Sequence, residues 1–435
     1  MENNYKNAHT HIFTMNNAPK NFLELYMPPF LAKGVDNFTN TNLGAWLIRQ
    51  LASSNKGMAK RYATFLQIGK SKYQTDIFED LMSRYPNETF QFITLCQNLE
   101  YLGVGRSVSG FEGQIEEVID IKRKYPTNIL PFFGLDPRWK SSGDEIQKTV
   151  ERYFETKIEV GGTSVYPFQG LKMYPSTGHY AFDAKLRKTM EWAADNGVPI
   201  MTHTYYLGGI YNYDKDYIKR NLNPIDPYTG NIHGAPNAVP KFIEEKGGLF
   251  GNLFNGNDRK SCRSSCSYFL EPHSYESMLN SIKDLKICFA HFGGVNQIQA
   301  SEGNNKDSNQ INPYGVLRKN WFSQIQNLMT QHPNVYTDIS YDVAECLLKE
   351  NSELYKVFFR EVDKSYGNQI LFGTDYFMTE KDSLEQVAVQ GFRNYASNAK
   401  LQNGNSLWDQ MAKNNINSYL ESKYYSGKPV IIRSV

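Results

Sequence analysis

Asn7-Ala8-His9-Thr10-His11 sets two imidazoles two residues apart close to the start of the chain. In an extended strand, residues i and i+2 project from one face, so both rings would point into one space. A metal site inside a barrel needs that arrangement from its first strand. With eight His in 435 residues, such a pair arises by chance about 0.15 times per chain, so it needs support from further along the sequence.

That support comes from three strand ends. His203 closes Gly197-Val198-Pro199-Ile200-Met201-Thr202, His291 closes Leu285-Lys286-Ile287-Cys288-Phe289-Ala290, and Asp375 follows Ile370-Leu371-Phe372-Gly373-Thr374. Short apolar or β-branched runs at 5–13, 91–96, 128–135, 170–174, 198–203, 286–291, 334–339 and 369–374 predict eight strands. Amphipathic stretches at 113–124, 144–156, 183–196, 275–283, 314–331 and 351–365 alternate with them. Strand alternating with helix implies parallel βαβ units, and eight of them make an α/β (β/α)8 TIM barrel. An open doubly wound sheet would want a Gly-rich phosphate turn after an early strand. Gly103, Gly105, Gly110 and Gly113 do not supply one, because Val108 stands where the third Gly belongs. The first strand has polar Asn3, Asn4 and Lys6, so it is expected to start at an exposed lower rim with only its end buried.

In a barrel, His203, His291 and Asp375 end strands five, six and eight, on the same rim as His11. One mouth could then gather His9, His11, His203, His291 and Asp375. Zinc favours imidazole and carboxylate at about 2.0–2.2 Å, and a catalytic ion keeps one position open for water. Each residue alone has a plainer explanation: a strand-end His is commonly a satisfied polar group, and Asp375 could N-cap a turn. Four such coincidences at four strand ends favour the metal site.

Composition sets the frame. A formal charge of +2 with 40% hydrophobic and 14% aromatic residues fits a large buried core and gives no reason to expect a nucleic-acid partner. No apolar run approaches the ~18 residues of a membrane span. The start, Met-Glu-Asn-Asn-Tyr-Lys, lacks the apolar core of a secretory signal. Five scattered Cys suit a reducing cytoplasm better than a disulfide framework. One domain over 1–435 is expected, with two long excursions at 14–57 and 205–271. The second leaves the rim between strands five and six and is read as a cap or lid, a bland surface insertion being the rival.

The order of His-x-His, a strand-four Lys172, then strand-end His203, His291 and Asp375 resembles the amidohydrolase superfamily. Gly170-Leu171-Lys172-Met173-Tyr174-Pro175, Ala290-His291-Phe292-Gly293-Gly294 and Leu371-Phe372-Gly373-Thr374-Asp375 narrow it to the branch of aminocarboxymuconate-semialdehyde decarboxylase-like metal-dependent hydrolases. The likeness runs from His9 to about Tyr419, with the two excursions unmatched. It implies that His9, His11, His203 and Asp375 coordinate a divalent metal, zinc first, and that His291 assists beside it. One ion is favoured, and two would follow if Lys172 were carbamylated. Unmodified, Lys172 would attract a substrate carboxylate or oxyanion. Asn7 departs from the pattern, since many members carry Asp two residues before the first His.

Other candidates are weaker. Arg138, after strand three, suits an anionic substrate at the mouth, though a solvated loop arginine is the equal alternative. Cys262, Cys266 and His273 lack an established zinc spacing. His179 and His233 sit in loops that could overhang the pocket, His332 lies on the opposite side, and Asp338 and Ser340 would support the ligands from behind.

The expected function is a metal-dependent hydrolase, in which a metal-bound hydroxide attacks an amide, lactone or ester of a small, carboxylated substrate and Asp375 shuttles the proton. The alternatives are a non-oxidative decarboxylase of an unsaturated carboxylic acid and a barrel that keeps metal only for stability. The partner is a small molecule, with no nucleic acid or membrane, and a homodimer is allowed by base rate.

Overall fold

The computed structural model describes residues 4–19, 71–85, 90–234, 239–245, 256–302, 310–311, 317–318, 320–344, 353–380 and 383–426. Eight parallel strands form one sheet in chain order: β1 (Lys6–Thr10), β2 (Gln91–Leu95), β3 (Ile129–Leu135), β4 (Gly170–Met173), β5 (Ile200–Thr202), β6 (Ile287–Phe289), β7 (Val335–Asp338) and β8 (Ile370–Leu371). The first and last meet: Ala8 N–H donates to Phe372 O and Asp375 N–H to His9 O, each at 2.9 Å, and Thr10 bridges Tyr376 in parallel. The sheet therefore closes into a (β/α)8 barrel, and each predicted strand is present within its expected run.

The barrel interior is filled rather than open. Ala8, Ile93, Leu95, Leu130, Phe132, Met201, Cys288, Tyr336 and Leu371 form one buried cluster, plugged from below by Ile416 and Tyr419. Layers of inward side chains of this kind make the lower barrel a core. Close strand contact requires glycine at position 170: a Cβ there would lie 2.6 Å from the Phe132 ring and 2.7 Å from Pro199 O.

A second, larger cluster lies between the strands and the helices outside them. These include α1 (Gln74–Ser83), α2 (Gly110–Lys124), α3 (Gly143–Glu155), α4 (Arg187–Asn196), α5 (Gly256–Leu270), α6 (Trp321–Gln331), α7 (Glu353–Val362) and α8 (Glu385–Asn398). In α3, Ile146, Val150 and Phe154 recur every fourth residue and are buried on one stripe, and the Ser142 hydroxyl accepts from Glu145 N–H as N-cap. At the far end of α4, Gly197 adopts φ 66° and stops the helix. No helix among the described residues is long and apolar enough to cross a membrane.

Two expectations change. β1 does not begin at an exposed rim: all five of its residues are buried. Lys6 Nζ is satisfied at the barrel floor by Asn417 Oδ1 at 2.7 Å, and Asn7 by a network taken up below. The helix expected over 314–331 starts only at Trp321, where Asn320 Oδ1 accepts from Ser323 N–H. Of the 14–57 excursion, residues 20–57 lie outside the described residues, as does Cys346. Cys96, Cys262, Cys266 and Cys288 are buried and unpaired with one another.

Candidate metal centre at the barrel mouth

The C-terminal ends of β1, β6, β7 and β8 converge on one buried cluster. The register of β1 against β2 shifts between Asn7 and Thr10. Such a bulge re-aims a side chain: Ala8 stays in the interior cluster while His9, its neighbour, also faces the mouth. At the other ends the chain turns sharply. His291, Tyr341 and Asp375 hold φ of 68°, 67° and 66°, a left-handed conformation that costs a non-glycine residue of order 1–3 kcal/mol. Among the described residues, the other non-glycine positive φ values, at Leu207 and Phe292, fall in the loops after β5 and β6.

Three donor atoms form a small triangle. His9 Nε2 lies 3.2 Å from His11 Nε2 and 3.3 Å from Asp375 Oδ1, and His11 Nε2 lies 3.1 Å from Asp375 Oδ1. Bonds of about 2.0–2.2 Å at tetrahedral angles would set donors about 3.3–3.6 Å apart, so this triangle is close to one face of a zinc-type tetrahedron. Among the described residues, a second group of metal-like spacing consists of His9, His291 and Asp338.

Hydrogen bonds assign the tautomers that the centre needs. His9 Nδ1 is 3.0 Å from Asp338 Oδ2, so it carries the proton and leaves the Nε2 lone pair facing Asp375 and His11. Asp338 Oδ1 accepts from the backbone N–H of His291 and of Ser340, each at 3.0 Å. His291 Nδ1 donates to Ser340 O at 3.1 Å, which leaves His291 Nε2 to accept from His203 Nδ1 at 3.1 Å. Burial depresses His9 and His203 well below the usual imidazole value and His291 less far, so all three are neutral at pH 7. Burial alone would raise Asp375, but the hydrogen bond with His11, and the positive charge the His9, His291 and His11 rings carry when protonated, outweigh it and hold the carboxyl at about 2.

His203 stands one ring away from the triangle. Its ring is 4.9 Å from that of His291 and is stacked 4.5 Å from Tyr174. Its buried Nε2 has no hydrogen-bond partner among the described residues and lies under Gly209, where a Cβ would come within 2.4 Å of it. The segment that follows β5 therefore lies directly on the cluster. Ile210 N–H donates to Tyr174 OH at 3.0 Å, and the Tyr205 ring sits 5.6 Å from His291 and 5.5 Å from Tyr341. From α5, the Cys262 and Cys266 thiols reach the carbonyls of Tyr213 and Asn212. Lys172, on β4, is buried with an Nζ that has no hydrogen-bond partner among the described residues. Burial pushes it down to about 8, with Asp338 and Asp375 opposing.

The remaining candidates separate from this centre. Arg138 spends its guanidinium on the protein: Nε and Nη2 grip Asp136 at 2.8 and 2.6 Å, and Nη1 donates to Thr177 O at 2.7 Å. It braces the rim between the ends of β3 and β4 and keeps no donor aimed at a substrate. His179 joins that brace, 3.6 Å from Asp136. His233 packs on Tyr180 and Phe182. His273 is exposed and pairs with Glu276, so it does not meet Cys262 and Cys266. Buried His332 follows α6, on the side away from the mouth. Gly209 escaped sequence reasoning, although the Gly208-Gly209 pair just past His203 was a signal of close backbone approach.

No curated protein matches the chain. Solved structures similar to it include an uncharacterised TIM-barrel protein from Bordetella bronchiseptica, 12% identical over 95% of this chain and 98% of that one, with a TM-score of 0.47. An amidohydrolase from Burkholderia multivorans with bound zinc is 8% identical over 96% and 99%, TM-score 0.47. A dihydroxybenzoic acid decarboxylase from a Polaromonas species, with manganese and 2-nitroresorcinol, is 11% identical over 96% and 97%, TM-score 0.47. A family model described as amidohydrolase matches residues 103–396. That match spans well over half the chain and contains Lys172, His203, His291 and Asp375, so the chain belongs to the amidohydrolase family.

Proposed function

We propose that this amidohydrolase-family enzyme is a metal-dependent hydrolase acting on an amide, lactone or ester of a small carboxylated substrate. The observation that carries the proposal is the triangle of His9 Nε2, His11 Nε2 and Asp375 Oδ1, backed by Asp338 on His9 Nδ1. These residues would hold one divalent ion, and their nitrogen and carboxylate donors suit zinc. His203, one ring away, would be the fourth ligand. When bound, the ion supplies Lewis-acid polarisation of a substrate carbonyl.

The protein's own groups do the rest. Asp375 is a carboxylate with one oxygen shared between two imidazoles, placed to take a proton and pass it to a leaving group. His291, held by Ser340 O on Nδ1 and by His203 on Nε2, would assist the proton transfer. Lys172, a buried amine, would hold the substrate carboxylate. The 205–213 segment would act as the cap that excludes water.

A second reading, non-oxidative decarboxylation, is favoured by one specific feature: the enclosed surroundings of Lys172. A substrate carboxylate drawn to it leaves water, and desolvation favours loss of CO₂. Enzyme reconstituted with zinc or manganese, assayed on lactones and esters by acid release, on amides by amine release and on unsaturated carboxylic acids by CO₂ release, separates the two. Titratable acid without CO₂ supports hydrolysis, and CO₂ alone overturns it. In either case Lys172→Met is expected to raise KM for a carboxylated substrate at least ~10-fold, with a smaller change in kcat, as for a lost charge-assisted contact.

A further inference from the structure

Behind the ligands, on the outer face of β1 and β8, lies a buried polar network that the proposed chemistry does not use. Asn7 Oδ1 accepts from two backbone N–H groups, that of His9 at 3.1 Å and that of Thr374 at 3.2 Å. It thereby ties the strand bearing the His pair to the residue preceding Asp375. Asn7 Nδ2 donates to Thr374 Oγ1 at 2.7 Å and to Tyr85 OH at 3.1 Å. Both hydroxyls pass the polarity onward, donating to Glu385 Oε1 at 2.7 and 2.6 Å. Asn7, Thr374 and Glu385 are buried throughout, and Glu385 Oε2 has no hydrogen-bond partner among the described residues.

The direction of this network is fixed. Two amide hydrogens leave Asn7, two hydroxyl hydrogens follow, and both end on one carboxylate oxygen at the first residue of α8. There is little slack at the seam it closes, since a Cβ on Gly373 would lie 2.9 Å from His9 Cβ. A change in the network must therefore move His9 relative to Asp375.

We propose that Glu385 is a positioning residue of the metal centre, which acts through Asn7 and Thr374 to hold His9 and Asp375 at ligand spacing. It never touches the ion or substrate. This rests on the metal reading above. The network also makes Asn7 necessary: a carboxylate at that position would have no hydrogen to give the two hydroxyls.

The test is a double-mutant cycle on the full chain, read by zinc affinity from a competing chelator and by the visible spectrum of the cobalt-loaded protein. Glu385→Leu is expected to weaken zinc at least ~10-fold and to alter the cobalt spectrum. Glu385→Gln, which keeps the accepting oxygen, should stay within ~3-fold of wild type. Asn7→Asp should lose at least ~10-fold, and Asn7→Asp with Glu385→Gln should recover most of it, because the glutamine amide can drive the network in reverse. Melting of each metal-free variant shows whether it folds, and the Glu385→Gln pair keeps the cycle readable if Glu385→Leu does not. Unchanged affinity in Glu385→Leu, or additive losses in the double variant, overturns the proposal alone. A wild-type protein that binds neither zinc nor cobalt overturns the metal reading and the proposal with it.

Discussion

Gly209 shows how tightly single residues constrain the centre. A methyl group there would lie 2.4 Å from His203 Nε2 and 2.6 Å from Tyr174 OH, at a backbone φ of 80°. Both neighbours are rigid rings stacked on each other, so neither gives way cheaply. Gly209→Ala is expected to cost about 1–3 kcal/mol in a denaturant melt. His179 gives a pH signature that does not involve the metal centre. Burial pushes it down to about 4 from the ordinary 6.5, with Asp136 opposing. The unfolded chain therefore takes up this proton first, and the stability held above pH 6.5 is lost as pH falls towards 4. Between pH 7 and pH 5 that linkage amounts to about 2 kcal/mol. In His179→Gln the fall in stability over the same interval should be smaller by that amount, as followed by denaturant melts at each pH.

Among the elements, β7 does more than its sequence suggests. Asp338, its last residue, accepts from the Nδ1–H of His9 and from the backbone N–H of His291 and Ser340. Asp338→Ala is expected to lower metal affinity 10–100-fold, measured by chelator competition, because the His9 tautomer loses its anchor. The strand ends were legible in the sequence for a plain reason. Apolar runs ending in His203, His291 and Asp375 reflect burial below and chemistry above, and both demands act on residue type. β1 was misjudged for the converse reason. Lys6 looks exposed by type, and only a tertiary partner, Asn417 below, makes its burial tolerable. The i, i+2 argument for His9 and His11 placed both at the mouth, yet it missed the bulge, because a register shift leaves no mark in local periodicity. Arg138 was misjudged because its partners, Asp136 beside it and Thr177 some forty residues on, satisfy it completely.

Taken whole, the molecule is a barrel whose lower half is packed for stability and whose upper rim carries strained turns and buried polar groups. Neutral imidazoles and a carboxylate buried side by side are a costly arrangement for folding alone, and an ion that binds only the folded state would offset that cost. At free ion a hundredfold above its Kd, such binding adds about 2.7 kcal/mol. Zinc is therefore expected to raise the melting temperature by a few degrees, and a chelator to reverse it. The most direct test of the central claim is an anomalous difference map from zinc-loaded crystals. The account predicts one peak per chain within about 2.0–2.2 Å of His9 Nε2, His11 Nε2 and an Asp375 oxygen. A map with no peak there, or with zinc bound elsewhere while these three side chains stand apart, would contradict it.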